Sequence, residues 1–450
     1  MKPRLPLLLF SFQVCSTLLA ADWARFRGPN GSGLAPDDKP VPVEWSATKN
    51  LKWRADLPGP GSSSPIVVGD RVFVTCWTGY ADGSATEEDI NALKRHLVCL
   101  DRTSGKILWD NVVPAKQPEE RFGGMFAQNG YASHTPVSDG QKVFAFFGKS
   151  GVHAFDLDGK KLWQADVGDW DDRRGWGTAS SPILHGDVLI VPAVVESQAL
   201  FGFDKNTGKQ LWKAPSEGFA SVWGSPVVAV VEDRSDLVLS VPGEVWGFNP
   251  DTGKLRWYAR GLQSDSVCNS VVTDGATVFT MGERGGGSVA IKAGGKGDVS
   301  ATHTLWTGSN GPRISTPVLW EDRLYWINSS IASCRDAKTG AEVYTERMET
   351  TGGADNRGGG NTGGSGGGGF GGGRRGGMGG GDYASPVAAN GHLYQVTRRG
   401  EVLVAKLGPK FELVARNRIE GDNSDHSSTP AISNGQLFLR SARTLYCIGE

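Results

Sequence analysis

The sequence predicts an all-β fold: an eight-bladed β-propeller of four-stranded blades, with an N-terminal strand closing the last blade. Three observations lead there. A glycine turn followed by an aromatic four residues later recurs along the chain, at Thr103–Trp109, Asp158–Trp163, Thr207–Trp212 and Thr252–Trp257, and with tyrosine at Thr339–Tyr344. A Ser/Thr-Pro step ahead of a short apolar run recurs at Pro65, Pro136, Pro182, Pro226, Pro317, Pro386 and Pro430, with Val271 in the proline position of an eighth unit. The intervals are 71, 46, 44, 45, 46, 69 and 44 residues, a period of about 45 carrying two long insertions. A repeat of about 40–50 residues holding four short strands is a propeller blade.

Each element has a physical reason. Glycine supplies the positive φ of a tight hairpin turn, and strand alternation sets the following aromatic on one face of the next strand. Asp139-Gly140, Gly186-Asp187, Asp274-Gly275, Asn390-Gly391 and Asn434-Gly435 mark an earlier turn in their units. The eighth unit stops at Leu445–Glu450 without its glycine turn and Trp strand, and Leu51–Leu57 resembles the missing strand. Residues 51–57 therefore complete the last blade and remove an open sheet edge. Six tryptophans, Trp53, Trp109, Trp163, Trp212, Trp257 and Trp306, mark blade ends and belong to the fold.

Outside the ring, residues 1–20 read as a secretory signal peptide. Lys2 and Arg4 precede an apolar run from Leu5 to Leu19, with cleavage after Ala20 or Ala21. Val14 before Cys15 argues against lipidation there. Residues 21–50 form a lead-in and 51–450 the propeller. Within the propeller, 352–381 is a flexible low-complexity insertion with 19 glycines among 30 residues. Five cysteines remain beyond the leader. Cys99, Cys334 and Cys447 take the small-residue position held elsewhere by Ala154, Gly202 and Gly247, which predicts buried free thiols, while a Cys76–Cys99 bridge stays open as the lesser reading.

Composition narrows the function. Forty-seven basic against 48 acidic residues is a poor footprint for a nucleic-acid binder. No 18-residue apolar stretch follows the leader, so no membrane span is expected. Gly148-Lys-Ser150 lacks the first glycine of a phosphate loop, and neither HExxH nor GxSxG occurs. No catalytic residue and no metal site is assigned. The group Asp166, Asp169, Asp171 and Asp172 reads as a surface charge network beside Arg173 and Arg174 rather than a calcium site.

The long insertions 78–96, 110–134, 166–179 and 346–383 fall on one face, where elaborated loops on a rigid ring carry binding. Residues just before the inner strands should line the channel mouth there. The candidates are Arg121, His134, Arg173, Trp176, Trp223, Asn269, Arg313, Tyr383 and His426, together with Gln128, Asn129 and Asp425. Arg284, Arg398, Arg399, Arg440 and Arg443 add cations from the middle loops. Such a rim of arginine, histidine and aromatics suits an anionic or peptide ligand. Trp176 and Trp223 are the tryptophans most open to binding.

The blades Leu97-Val-Cys-Leu-Asp-Arg-Thr-Ser-Gly-Lys-Ile-Leu-Trp109 and Leu200-Phe-Gly-Phe-Asp-Lys-Asn-Thr-Gly-Lys-Gln-Leu-Trp212 resemble the PQQ-like (pyrroloquinoline-quinone-type) propeller repeat family over nearly all of residues 51–450, and Trp23–Gly33 resembles the lead-in of many secreted bacterial members. The resemblance implies a monomeric envelope protein, secreted or periplasmic. The expected role is a BamB-like, non-catalytic binding or scaffold propeller without a cofactor, whose partner is an envelope protein or a small anionic or carbohydrate ligand. Two alternatives stay open: a quinoprotein dehydrogenase holding PQQ with calcium, which the same resemblance implies, and a carbohydrate-binding secreted propeller, in which Trp and Tyr at the mouth stack on sugars. Against the dehydrogenase, this chain lacks the adjacent cysteine pair and any CxxCH haem site.

Overall fold

Each repeat builds one antiparallel sheet, and a computed structural model places eight such sheets in a ring. It describes residues 22–36, 39–83, 89–122, 126, 130–282, 287–349 and 382–450. The expected signal segment and the glycine-rich insertion lie outside these residues, as do Gln128, Asn129 and Arg284. The first blade shows the pattern: Ile66–Val68, Arg71–Thr78, Lys94–Asp101 and Ile107–Pro114, from the axis outward. The fourth departs from it, because Gly297–Asp298 adds a fifth strand parallel to Leu255–Arg260. The last blade closes as expected. Leu51–Asp56 pairs with Thr444–Ile448, setting Trp53 opposite Cys447.

The small-residue position explains itself in the register. Cys99, Ala154, Gly202, Gly247, Cys334 and Cys447 lie directly across from Trp109, Trp163, Trp212, Trp257, Tyr344 and Trp53. A large residue there would collide with the indole: a Cβ on Gly202 would lie 2.2 Å from Trp212. The five described cysteines are free thiols, four of them buried. Burial pushes the Cys99 and Cys447 thiols up to about 12, so they behave as small apolar residues.

The glycine and the tryptophan of one motif serve different blades. The Trp53 indole N–H donates to Arg102 O at 2.9 Å, and its ring covers Gly105 in the next blade, where a Cβ would sit 2.5 Å from the ring. The pattern repeats from Trp109 to Gly159, Trp163 to Gly208, Trp212 to Gly253 and Trp306 to Gly340. Gly105 thus meets two demands, a φ of 72° for the turn and a bare surface for the neighbour's ring. The turn's aspartate is its clamp: Asp101 Oδ1 accepts from the Thr103 and Ser104 N–H groups and the Ser104 hydroxyl. Trp257 is the exception. Its N–H donates to Asp236 Oδ2 at 2.8 Å in its own blade, because the fifth unit has no such turn to receive it.

The Ser/Thr-Pro step builds a belt around the axis. The Ser64 N–H donates to Thr135 Oγ1 in the next blade, Thr135 N–H to Ser181, and so on through Ser225, Ser270, Thr316 and Ser385 to Thr429, every link at 2.9–3.0 Å. An inner strand is a sheet edge with unpaired backbone groups. The hydroxyl satisfies one of its neighbour's donors, and the proline that follows in seven of the eight units has no donor to satisfy.

The lead-in does not lie outside the ring. Trp23 pairs with Val67, Ala24 O accepts from Ser138 N–H, Asn30 exchanges hydrogen bonds with Val228, and Leu34 bridges Ala388. These partners sit three residues beyond the belt along the inner strands of blades one, two, four and seven. The lead-in therefore crosses the axis deeper than the belt and blocks the channel from the tight-turn face. At the crossing, the buried Arg27 guanidinium donates to five carbonyls: Gly31, Ser32, Thr316, Pro317 and Pro386. Residues beyond it pack against blade seven, where Val41 and Trp45 are buried and Val41 O accepts from Tyr394 Oη and Val43 O from Asn417 Nδ2.

Candidate functional site

With one end blocked, the channel becomes a cup of about 510 Å³ open to the loop face. All eight belt residues line it, and Phe26 of the lead-in lies at its closed end. Trp176 and Trp223 form one wall. Their ring centroids are 4.9 Å apart, and Phe126 stacks on Trp176 at 5.9 Å and 8°. Asn269, Ser264, Ser266, Cys268, Arg313 and Tyr383 complete the wall. None of the described lining residues is a carboxylate.

The wall is positioned from below. Asp172 Oδ2 accepts from the Trp176 and Gly177 N–H groups at 2.7 and 3.0 Å, while Glu120 Oε1 accepts from Asp172 N–H. The Trp223 indole N–H donates to Gly177 O at 2.7 Å, and the Arg174 guanidinium lies 5.3 Å from the Trp176 ring. Asp172 is thus a loop-turning residue. Asp166 and Asp169 pair with Lys116, and Asp171 pairs with Lys149. No group of three or more metal-ligating side chains occurs among the described residues.

Of the residues singled out from sequence, the structure brings Trp176, Trp223, Asn269, Arg313 and Tyr383 together on the cup. Asn269 is tied to the backbone, its Nδ2 donating to Ser315 O at 2.6 Å. Tyr383 carries the Arg398 guanidinium over its ring at 4.8 Å, and Arg398 in turn pairs with Asp425. The Arg313 guanidinium makes no hydrogen bond or ion pair with any described residue. The other four lie elsewhere. Arg121 is exposed beside Tyr80, and Arg173 is exposed on the 166–179 loop. His134 is buried, with Nε2 3.0 Å from Thr178 Oγ1 and its ring 4.3 Å from Phe146. His426 is buried too, with Nδ1 at 2.9 Å from Ser424 O. Arg440 lies buried between the last and first blades and donates to Ser63 O.

Burial shifts several titrating groups in the protein. Burial raises the Glu196 carboxyl to about 7, and Glu120 to about 7. Desolvation pulls His134 down to about 3 and His153 to about 4. The two pairs act oppositely. A carboxyl raised in the folded state favours folding below its unfolded value near 4.5 and loses that contribution as pH rises to 7. A lowered histidine contributes above 6.5 and loses it as pH falls toward 3–4. Between pH 4.5 and 6.5 the slopes oppose each other, and below pH 4.5 the histidines alone destabilise. Replacing Glu196→Gln removes one carboxyl slope. The difference in unfolding free energy between variant and parent should therefore grow in the variant's favour by about 3 kcal/mol from pH 4.5 to pH 7. Denaturant titrations across that range test it, and a pH-independent difference would contradict the assignment.

The comparisons with known proteins follow the architecture. The family described as outer membrane protein assembly factor BamB matches residues 90–229 and 148–407. A polyvinylalcohol dehydrogenase from Pseudomonas sp is 23% identical over 291 residues, which are 54% of this chain and 39% of that protein; a second, from Sphingopyxis sp., is 23% identical over 259 residues, 48% of this chain and 36% of that protein. The chain thus spans about two-fifths of the length of these relatives. Among solved structures, BamB from Moraxella catarrhalis superposes with a TM-score of 0.57 at 11% identity, covering 89% of this chain and 99% of that one. A europium-containing methanol dehydrogenase gives 0.58 at 12%, covering 96% and 98%. At such identities the superpositions speak for the fold alone, and among the described residues no helix is long and apolar enough to cross a membrane. On the family match, the blade motifs and the closed eight-sheet ring together, the chain belongs to the PQQ-like β-propeller family described as outer membrane protein assembly factor BamB.

Proposed function

We propose that this chain is a non-catalytic binding propeller of the bacterial cell envelope, holding its ligand in the loop-face cup. One observation carries the reading: a one-ended cup with a tryptophan wall, an arginine that makes no hydrogen bond or ion pair with any described residue, and no carboxylate among the described lining residues. That lining matches an apolar body bearing an anionic group, on a small molecule or an envelope-protein segment, with Arg313 taking the charge. The envelope assignment rests on the signal-like start of the sequence and on BamB among the relatives.

Pyrroloquinoline quinone, the group the family name implies, does not fit this lining. Its three carboxylates call for several cations, and calcium with a catalytic base calls for carboxylates. The described lining offers Arg313 and no acid. The polyvinylalcohol dehydrogenases are proteins of which this chain covers 39% or less, and the methanol dehydrogenase, at 12% identity, speaks for the fold alone.

Titration with 1-anilinonaphthalene-8-sulfonate, an aromatic body carrying one sulfonate, tests the reading. We expect saturable binding at one site per chain, weakened about tenfold by Arg313→Gln, the loss of one charge-assisted hydrogen bond. Absence of saturable binding, or indifference to Arg313→Gln, would sink it. In a parallel titration with pyrroloquinoline quinone and calcium, tight binding with dye reduction by alcohols would favour a dehydrogenase instead.

A further inference from the structure

Resting on that reading, we propose that Phe26, supplied by the lead-in rather than by any blade, sets the depth of the cup and hence the size of ligand it accepts. Three observations converge on this residue. The first is depth. The inner strands run from the loop face to the tight-turn face, and the belt stands at their beginnings. The lead-in's partners Val67, Ser138, Val228 and Ala388 come later on those strands, so Phe26 lies beyond the belt as seen from the mouth.

The second is exposure. Trp23 and Arg27 are wholly buried at the centre of the ring, whereas Phe26 between them is partly exposed and lines the cup. Its exposed surface faces the cavity. The third is fixation. Arg25 Nη2 donates to Pro226 O at 2.9 Å on one side of the ring, and Arg27 donates to Thr316, Pro317 and Pro386 carbonyls on the other. A phenyl ring held between two anchored arginines is a rigid floor, and a rigid floor selects by size. Arg25 and Arg27 are positioning residues, acting through Phe26.

The size scale is favourable for a test. An apolar cavity on the order of 150 Å³ takes up benzene, so removing one phenyl ring makes space for about one more ring of ligand. The probes are 1-anilinonaphthalene-8-sulfonate and its covalent dimer, the bis compound, titrated into the full chain. Phe26→Ala should raise affinity for the larger probe at least fivefold relative to the smaller. Phe26→Trp should weaken the smaller probe at least fivefold. Phe26→Leu, which keeps an apolar floor at full folding competence, should lie between parent and Phe26→Ala, and denaturation midpoints of all variants check that the ring stays closed. If the parent binds the small probe through Arg313 but the Phe26 variants leave the ratio of the two affinities unchanged, the floor assignment is overturned and the binding reading survives. If the parent binds neither probe, both fall.

Discussion

Replacing Arg27→Met should lower the unfolding free energy by about 4 kcal/mol, more than expected for an ordinary core truncation. Arg27 has no acidic partner. Its five hydrogen bonds, at 2.7–3.1 Å, all go to backbone carbonyls, two within the lead-in and three on the inner strands of blades six and seven. Burial lowers its guanidinium to about 9, still charged at neutral pH. Methionine fills much of the volume but donates nothing, leaving several buried carbonyls unpaired at about 1 kcal/mol or more each. Arg27→Lys should be intermediate, because three rotatable donors on a point charge cannot copy a planar fork that reaches five acceptors. Guanidinium chloride unfolding, followed by tryptophan fluorescence, reads both variants. A loss below about 1 kcal/mol for Arg27→Met would mean that water replaces the fork, and that the channel is not sealed there.

How much of this was legible in the sequence depends on where each residue's partner lies. The hairpin glycine, the tryptophan strand and the closing strand 51–57 were readable because each is a local signal repeated at one period. The belt was visible only as a Ser/Thr-Pro marker. Its hydroxyls bond to residues 44–71 positions away, as Ser64 does to Thr135 and Ser181 to Ser225, and no local pattern reports that. For the same reason the docking of each tryptophan on the following blade's glycine escapes a reading of one repeat alone. The lead-in carries no periodicity, so nothing in Trp23–Gly33 announces that it threads the ring. The site divides by residue type. Trp176, Trp223, Asn269, Arg313 and Tyr383 were placed at the mouth by their position ahead of an inner strand, and they line the cup. His134 occupies the same kind of position, but its side chain turns between blades to bond Thr178. Position along a strand fixes the backbone's address, while the direction of a long side chain depends on neighbours that the repeat does not specify.

Trp53→Ala should cost about 4 kcal/mol and should do more damage than the same change at Trp163. Both tryptophans occupy the same place in their blades, bond to a carbonyl of the next blade and cover its glycine. They differ in what their strand is tied to. Trp163 is held within Lys161–Ala165, one short turn from the strand it pairs with. Trp53 sits on Leu51–Asp56, which reaches Thr444–Ile448 only after the whole ring has been built. The loss of contacts is of similar kind, about 3–5 kcal/mol for a large aromatic. At Trp53, however, the loss also weakens the strand pairing that closes the last blade, where closure of a loop of nearly 400 residues must be maintained. Once that strand detaches, Thr444–Ile448 becomes a free sheet edge. Opening should therefore be local and early in Trp53→Ala, and spread over the whole ring in Trp163→Ala. Hydrogen exchange distinguishes them: amides of 51–56 and 444–448 should lose protection together in the Trp53 variant while Val188–Ala193 keeps its own. Equal loss at all three segments would show that closure is no weaker than any other seam, and that the belt of Ser/Thr hydroxyls, rather than the shared last blade, holds the ring shut.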